Sequence, residues 1–185
     1  MILPIVAYGD PILKKVAKDV PKDYPKLKEL ITDMYETMYA SKGVGLAAPQ
    51  VGVSLRLFIT DGTPFEEEEV KDFKGVFINP IVKEETGELW KFNEGCLSIP
   101  NIREDVQRKE SVYIEYYDEN FEQRKETFTG LAARIIQHEY DHIQGVLFVE
   151  RISPFRKRLL KNKLLDISNG IVDVDYKMKF HITKK

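Results

Sequence analysis

Two of the three histidines in this chain, His138 and His142, stand four residues apart in the stretch QHEYDHIQG, and Glu139 directly follows the first. On a helix, four residues bring the chain back to nearly the same face, so both imidazoles would point one way with the carboxylate at their flank. At about 100° per residue, Leu131, Ile135, His138 and His142 fall in one stripe, which puts the histidines where the core lies. Two neutral imidazoles beside a carboxylate form the helical signature of metal hydrolases. The rings fill two coordination positions, and the carboxylate accepts a proton from an activated water. The same residues also fit a structural reading, two core histidines bonded to buried partners with Glu139 in an ion pair.

Catalysis by a metal requires a third protein ligand and an open position. The extended form of the signature places a third histidine three residues past a glycine; Gly145 is present, but Phe148 occupies the histidine's place. Glu150 lies within a short apolar, strand-like segment, VLFVERI, and Asp166 lies near the end of a basic helix. His181 sits in a polar tail, where a solvated histidine is expected. The remaining soft donor is Cys96, in NEGCLSIP. A lone cysteine is most often a small core residue. Beside a two-histidine helix, however, a thiolate suits a divalent transition metal in a mixed sulfur and nitrogen site. Cys96, His138 and His142 would leave one tetrahedral position for water.

Several elements must position these groups. Asp23 and Pro25 mark a helix start, and Leu27, Leu30, Ile31, Met34 and Met38 recur at helical spacing to about Ala40. Gly43, Gly45 and Gly52 punctuate GVGLAAPQVG, after which LRLFIT reads as a strand entering the core. The acidic run 66–69 reads as a solvated loop, and FINPIV and ELWKF as two further strands. Residues 111–128 alternate as an antiparallel hairpin with a turn at Asp118, Glu119 and Asn120. The second helix spans 131–142 and is closed by Gly145. Ser153 and Pro154 cap a third helix, which runs to about Asp166, is anchored by Leu159, Leu160, Leu164 and Leu165, and ends at Asn169-Gly170. IVDVDYKMKF then reads as extended.

At 185 residues the chain is long enough for one domain with a sizeable core. Its net charge of −2 and pI near 6.0 give no global attraction to nucleic acid or membrane, so any polyanion contact must be local. One cysteine precludes an intrachain disulfide, which fits a reducing compartment. The N-terminus, MILPIVAYGDPILKK, has no basic region ahead of a long apolar run and is broken by Pro4, which argues against a signal peptide. The expected location is cytoplasmic, with no DNA or membrane partner, and a monomer is the default.

Three segments, GVGLAAPQVG, EGCLSIP and QHEYDH, in that order along nearly the whole chain, together resemble peptide deformylases. The resemblance implies an α+β fold across residues 1–185: antiparallel β-sheets around a central HExxH helix, with an N-terminal helix and a C-terminal helix followed by an extended tail. It implies removal of the N-formyl group from the initiator methionine of nascent peptides, releasing formate. Matched by motif, Cys96, His138 and His142 become ligands of one ion per chain, commonly Fe2+ in the family, with Zn2+, Ni2+ or Co2+ able to take its place. Glu139 becomes the catalytic acid and base. The Gln50 side-chain amide and the Leu97 backbone N–H become donors to the developing oxyanion.

The resemblance also implies that the Gly45 backbone bonds the peptide as though adding a strand. Val44, Ile135 and the face around His138 are candidates to line a methionine pocket, ordinary core packing being their alternative role. Arg103 is a candidate contact to the substrate backbone, and Glu94 with Arg108 a candidate pair bracing the Cys96 loop. Some family members contact the ribosome through a long C-terminal helix. Here Arg156, Lys157, Arg158, Lys161 and Lys163 could serve, although Asn169-Gly170 ends the helix early. A zinc endopeptidase would leave Cys96 idle, and a structural metal would need a fourth protein ligand that the sequence does not offer.

Overall fold

The computed structural model describes residues 1–182. After a short strand β1 (Ile5–Val6), helix α1 runs Leu27–Ala40 and buries Leu27, Ile31, Met34 and Met38, the stripe its periodicity predicts. Strands β2 (Gly45–Ala47), β3 (Leu57–Asp61), β4 (Lys74–Cys96), β5 (Ile99–Tyr117) and β6 (Gln123–Thr129) form one antiparallel sheet in that order. Helix α2 (Gly130–Ile143), helix α3 (Pro154–Ser168) and a short strand β7 (Met178–Lys179) complete the fold.

Strand β3 is buried along its whole length because helices cover both of its faces. Leu57 and Ile59 pack with Met34 and Met38 of α1, whereas Phe58 packs with Ala133 and Ile136 of α2. Helix α2 is buried on nearly every side, as the residue types of its stripe require of a central helix.

Some expectations change. FINPIV and ELWKF belong to one strand, β4, because the chain keeps pairing with β5 across register shifts near Pro80 and Gly87, where Asn79 (φ 49°) and Gly87 (φ 81°) turn the backbone. The hairpin turn at Asp118 stands as read, with the Asp118 carboxylate accepting from the Asn120 and Glu122 N–H groups. VLFVERI is no strand: Phe148–Glu150 is a turn of 3₁₀ helix, and the run is apolar because Leu147, Phe148 and Val149 are buried in the core.

In α3, Ser153 caps the helix as expected, but Leu160, Leu164 and Ile167 anchor it, while Leu159 and Leu165 are exposed. The spacing of four then three residues, and not the leucine pairs, defines the inner face. Arg156 of this helix is bonded to Glu104. Among the described residues beyond α3, β7 alone pairs as a strand, and it does so in parallel with β1.

Candidate metal centre

Cys96 ends β4, and a two-residue connection, Leu97 and Ser98, leads into β5 at Ile99, the partner of Cys96 in the ladder. The next pair down is Gly95 with Arg103, so β5 carries extra residues here, with Asn101 at φ 62°. This irregularity tilts the tip of the hairpin toward α2. One helical turn apart on α2, His138 and His142 face it. Metal-donor atoms of Cys96, His138 and His142 all lie within 4.8 Å of one another, and Cys96 Sγ is 3.4 Å from His142 Nε2.

A partner behind the ring fixes the orientation of His138, whereas His142 Nδ1 is buried with no hydrogen-bond partner among the described residues. His138 Nδ1 is 2.8 Å from Glu94 Oε1, which leaves Nε2 for the centre. Glu94 in turn accepts from Arg108 Nε at 2.7 Å and from Arg134 at 2.7 Å, and Arg108 reaches on to Asp141 at 2.9 Å. The expected pairing of Glu94 with Arg108 is therefore present, extended by Arg134 and Asp141 into a buried network that the exposed Arg151 closes at its Asp141 end. Burial alone would raise the Glu94 pKa, but the bonds from His138 and Arg108 outweigh it and hold the group well below the usual carboxylate range. Burial likewise opposes a charge on His138, yet its bonds to Cys96 and Glu94 keep its pKa well above the ordinary value. At His142 burial prevails and the pKa falls well below it.

Glu139 lies beside the three donors, and burial pushes its carboxyl up to about 7. One wall against it is Gly45: a β-carbon there would stand 2.5 Å from Glu139 Oε1 and 2.8 Å from Cδ, so only glycine admits the carboxylate. Glu139 Oε2 is buried with no hydrogen-bond partner among the described residues. A buried acid lining the same cavity as Cys96 and His138, with one oxygen that has no donor, fits a divalent transition metal held by one sulfur and two imidazoles with a water in the remaining position.

Gln50 sits on the opposite side. Its Oε1 accepts from the Ala47 N–H, and its Nε2 points at Cys96 Sγ (3.5 Å) and Ser98 Oγ (3.2 Å). Because a turn bond would link only Cys96 C=O to Ile99 N–H, the Leu97 N–H takes no part in the ladder.

Strand β2 is the edge of the sheet. Val44 C=O accepts from Asp61 N–H on the β3 side, and antiparallel alternation turns the N–H and C=O of Gly45 to the open side. The Val44, Gly45, Gln50, Cys96, Leu97, Arg103, Ile135, His138 and Glu139 positions singled out in the sequence all line one cavity of about 810 Å³. His142 lies behind them, 1 % exposed. Arg103 stands at the rim, its guanidinium donating to Asn93 Oδ1 and to the Asn93 carbonyl.

Sequence reasoning missed Ser98, Arg134, Asp141 and Arg151, and it also missed Tyr176, whose hydroxyl donates to the Leu97 carbonyl at 2.8 Å. Only Asp141 carried a signal, an acid three residues beyond His138 within the same motif.

A family model described as polypeptide deformylase matches residues 2–158. A peptide deformylase of Christiangramia forsetii is 58% identical, with 100% of this chain and 99% of the relative covered. A crystal structure of a peptide deformylase from Legionella pneumophila superposes with a TM-score of 0.81 at 38% identity, covering 92% of this chain and 97% of the other. A Met-Ala-Ser-bound structure of a class I type b peptide deformylase from Acinetobacter baumannii matches at 38% identity with a TM-score of 0.76, over 82% of this chain and 99% of the other.

Proposed function

This chain belongs to the polypeptide deformylase family and removes the formyl group from the N-formylmethionine of nascent peptides, and from that premise we propose how its residues divide the work. Cys96, His138 and His142 hold one ion per chain, Fe2+ in our reading, with Zn2+, Ni2+ or Co2+ as alternatives. When bound, such an ion lowers the pKa of water and polarises a carbonyl oxygen. Glu139 takes the proton of the attacking water and returns it to the leaving amine. Its carboxyl, pushed up to about 7 by burial, suits both transfers near neutral pH. Gln50 Nε2 and the Leu97 N–H donate to the oxygen that becomes negative as the formyl carbon turns tetrahedral. Glu94, held by Arg108 and Arg134, keeps the His138 ring turned to the centre.

The substrate lies along the β2 edge, bonded through the Gly45 backbone, with its methionine side chain against Val44 and Ile135 and its following residues passing Arg103. The Met-Ala-Ser-bound relative supports a tripeptide as a sufficient probe. The observation that carries this reading is the convergence of three donors within 4.8 Å beside a buried carboxylate with one unpartnered oxygen.

Residues 1–185 act in this reading as one monomeric catalytic domain in the cytoplasm. Among the described residues, no helix is long and apolar enough to cross a membrane. On α3, Lys157, Arg158, Lys161 and Lys163 are exposed and form the surface for a transient ribosome contact, Arg156 being engaged by Glu104. Reversing the exposed four to glutamate should weaken co-sedimentation with ribosomes at low salt and leave tripeptide turnover intact; undiminished co-sedimentation would remove the contact. The catalytic assignment is tested by comparing formyl-Met-Ala-Ser with acetyl-Met-Ala-Ser on iron-loaded protein. Release of formate with little acetate is expected, and absence of formate from fully loaded protein would overturn it.

A further inference from the structure

Beyond the span of the family match, the chain makes a return that reaches the site. After α3 ends, residues 173–176 cross the mouth of the cavity and supply part of its lining. The crossing is tethered at three points. The Asp173 carbonyl accepts from Asn101 Nδ2 at 3.0 Å, Asp175 pairs with Lys42 at 2.8 Å, and the Tyr176 hydroxyl donates to the Leu97 carbonyl at 2.8 Å. Just beyond, β7 is locked to β1, with Ile5 N–H donating to the Lys177 carbonyl and Ala7 N–H to that of Lys179. The segment thus touches both sides of the cleft, through two exposed contacts and the part-buried Tyr176 bond.

The last tether falls on a residue with a chemical task. Leu97 is the first residue of the two-residue hairpin tip, and its carbonyl is not bound by the ladder. Without Tyr176, the tip would be oriented by the Gln50 bond to Ser98 and by the Tyr8 N–H bond to the Ser98 carbonyl. Both act one residue further along, and the Gln50 contact with Cys96 Sγ acts one residue before. Tyr176 is therefore the group that grips Leu97 itself, across 79 positions of sequence.

We propose that Tyr176 is a positioning residue for deformylation, holding the Leu97–Ser98 peptide by its carbonyl and so, through Leu97 Cα, restraining the N–H of the preceding Cys96–Leu97 peptide, and that residues 173–176 form one wall of the peptide cleft. The proposal rests on the reading of Leu97 N–H as an oxyanion donor. Such a donor acts in the transition state, so loosening it lowers kcat more than it raises KM.

The test is Tyr176→Phe, which keeps the ring and its packing but lacks the hydroxyl, compared with Tyr176→Leu, which loses both. Each is assayed on formyl-Met-Ala-Ser as the full-length metal-loaded enzyme, with metal content and melting temperature measured on the same preparations. Tyr176→Phe is expected to lower kcat about tenfold with KM within about twofold, the scale of one misaligned hydrogen bond in the transition state. Metal content should be unchanged. If kcat per folded, metal-loaded site is unchanged in Tyr176→Phe, whether or not the melting temperature falls, the proposal is overturned. A loss of kcat confined to Tyr176→Leu would overturn it too, because packing alone would then explain the residue. Wild-type enzyme inactive in the same assay would refute the underlying catalytic reading instead.

Discussion

Gly45→Ala is a one-carbon test of the claim that Glu139 must stand where it does. The added β-carbon would meet Glu139 Oε1 at 2.5 Å and both Cδ and Cγ at 2.8 Å, so rotating the carboxylate cannot relieve the clash. To reach an ordinary contact of 3.4 Å, the acid must retreat by about 0.9 Å. Its surroundings are tightly packed, since Glu139 is 4 % exposed on a helix buried on nearly all sides. Displacing a reacting group by about 1 Å costs on the order of 100-fold in rate, or about 2.7 kcal/mol of barrier. Gly45 does not have a positive φ, so alanine suits its backbone and the β2 pairing with β3 survives. The N–H and C=O offered to the peptide also remain. Expected, then, is a fall in kcat of about 100-fold with little change in KM or metal content, and a lower melting temperature from the overpacking. Steady-state formate release on formyl-Met-Ala-Ser measures it. Wild-type kcat in a properly folded Gly45→Ala enzyme would refute the argument, because it would mean that the carboxylate has slack or does not carry the proton.

Glu139→Gln should keep fold and metal while lowering deformylation by orders of magnitude, since the ligands stay and the proton carrier is gone; metal lost with the substitution would make Glu139 a ligand. Arg108→Ala leaves the carboxylates of Glu94 and Asp141 buried with fewer partners, which should cost about 3–5 kcal/mol of stability and loosen metal retention through His138. Chemical denaturation and dialysis against a chelator measure the two effects, and unchanged values in both would remove the bracing role. At Asp118, burial raises the pKa but the Glu122 N–H, Arg124 and Asn120 bonds outweigh it, so the folded value lies below the ordinary 3.8. Its stabilising contribution is full above about pH 3.8 and is lost as pH falls through the folded value. Asp118→Asn should therefore reduce stability at neutral pH by about 1–2 kcal/mol and flatten the acid slope; an unaltered pH profile would contradict the linkage.

The helices were legible from their periodicity, although α1 starts at Leu27 after a left-handed Lys26 and not at the Asp23 and Pro25 signal, and the three candidate ligands were legible because few residue types can bind a transition metal. The first half of β5 was hidden for a physical reason. Its inward residues alternate Ile102, Glu104, Val106 and Arg108, all buried, so half of the core-facing side chains are charged and mask the apolar alternation. Their burial is tolerable only because Arg156 lies against Glu104, and Glu94 and Asp141 against Arg108, partners 14 to 52 positions away. The continuity of β4 was masked by Pro80 and Gly87, which read as breaks although the strand bends through them. The grip of Tyr176 on Leu97 depends on a return of the chain that no local pattern encodes.

In the proposed mechanism, one ion held by Cys96, His138 and His142 serves deformylation with Glu139 as proton carrier. Anaerobic purification followed by metal analysis and formate release on the same iron-loaded sample, for wild type and Cys96→Ser side by side, tests it most directly. Expected are about one ion per wild-type chain, formate released in step with occupancy and intact Met-Ala-Ser as the other product, with iron binding or activity impaired in Cys96→Ser. Full iron-dependent activity in Cys96→Ser, or equal activity in metal-free wild type, would contradict it.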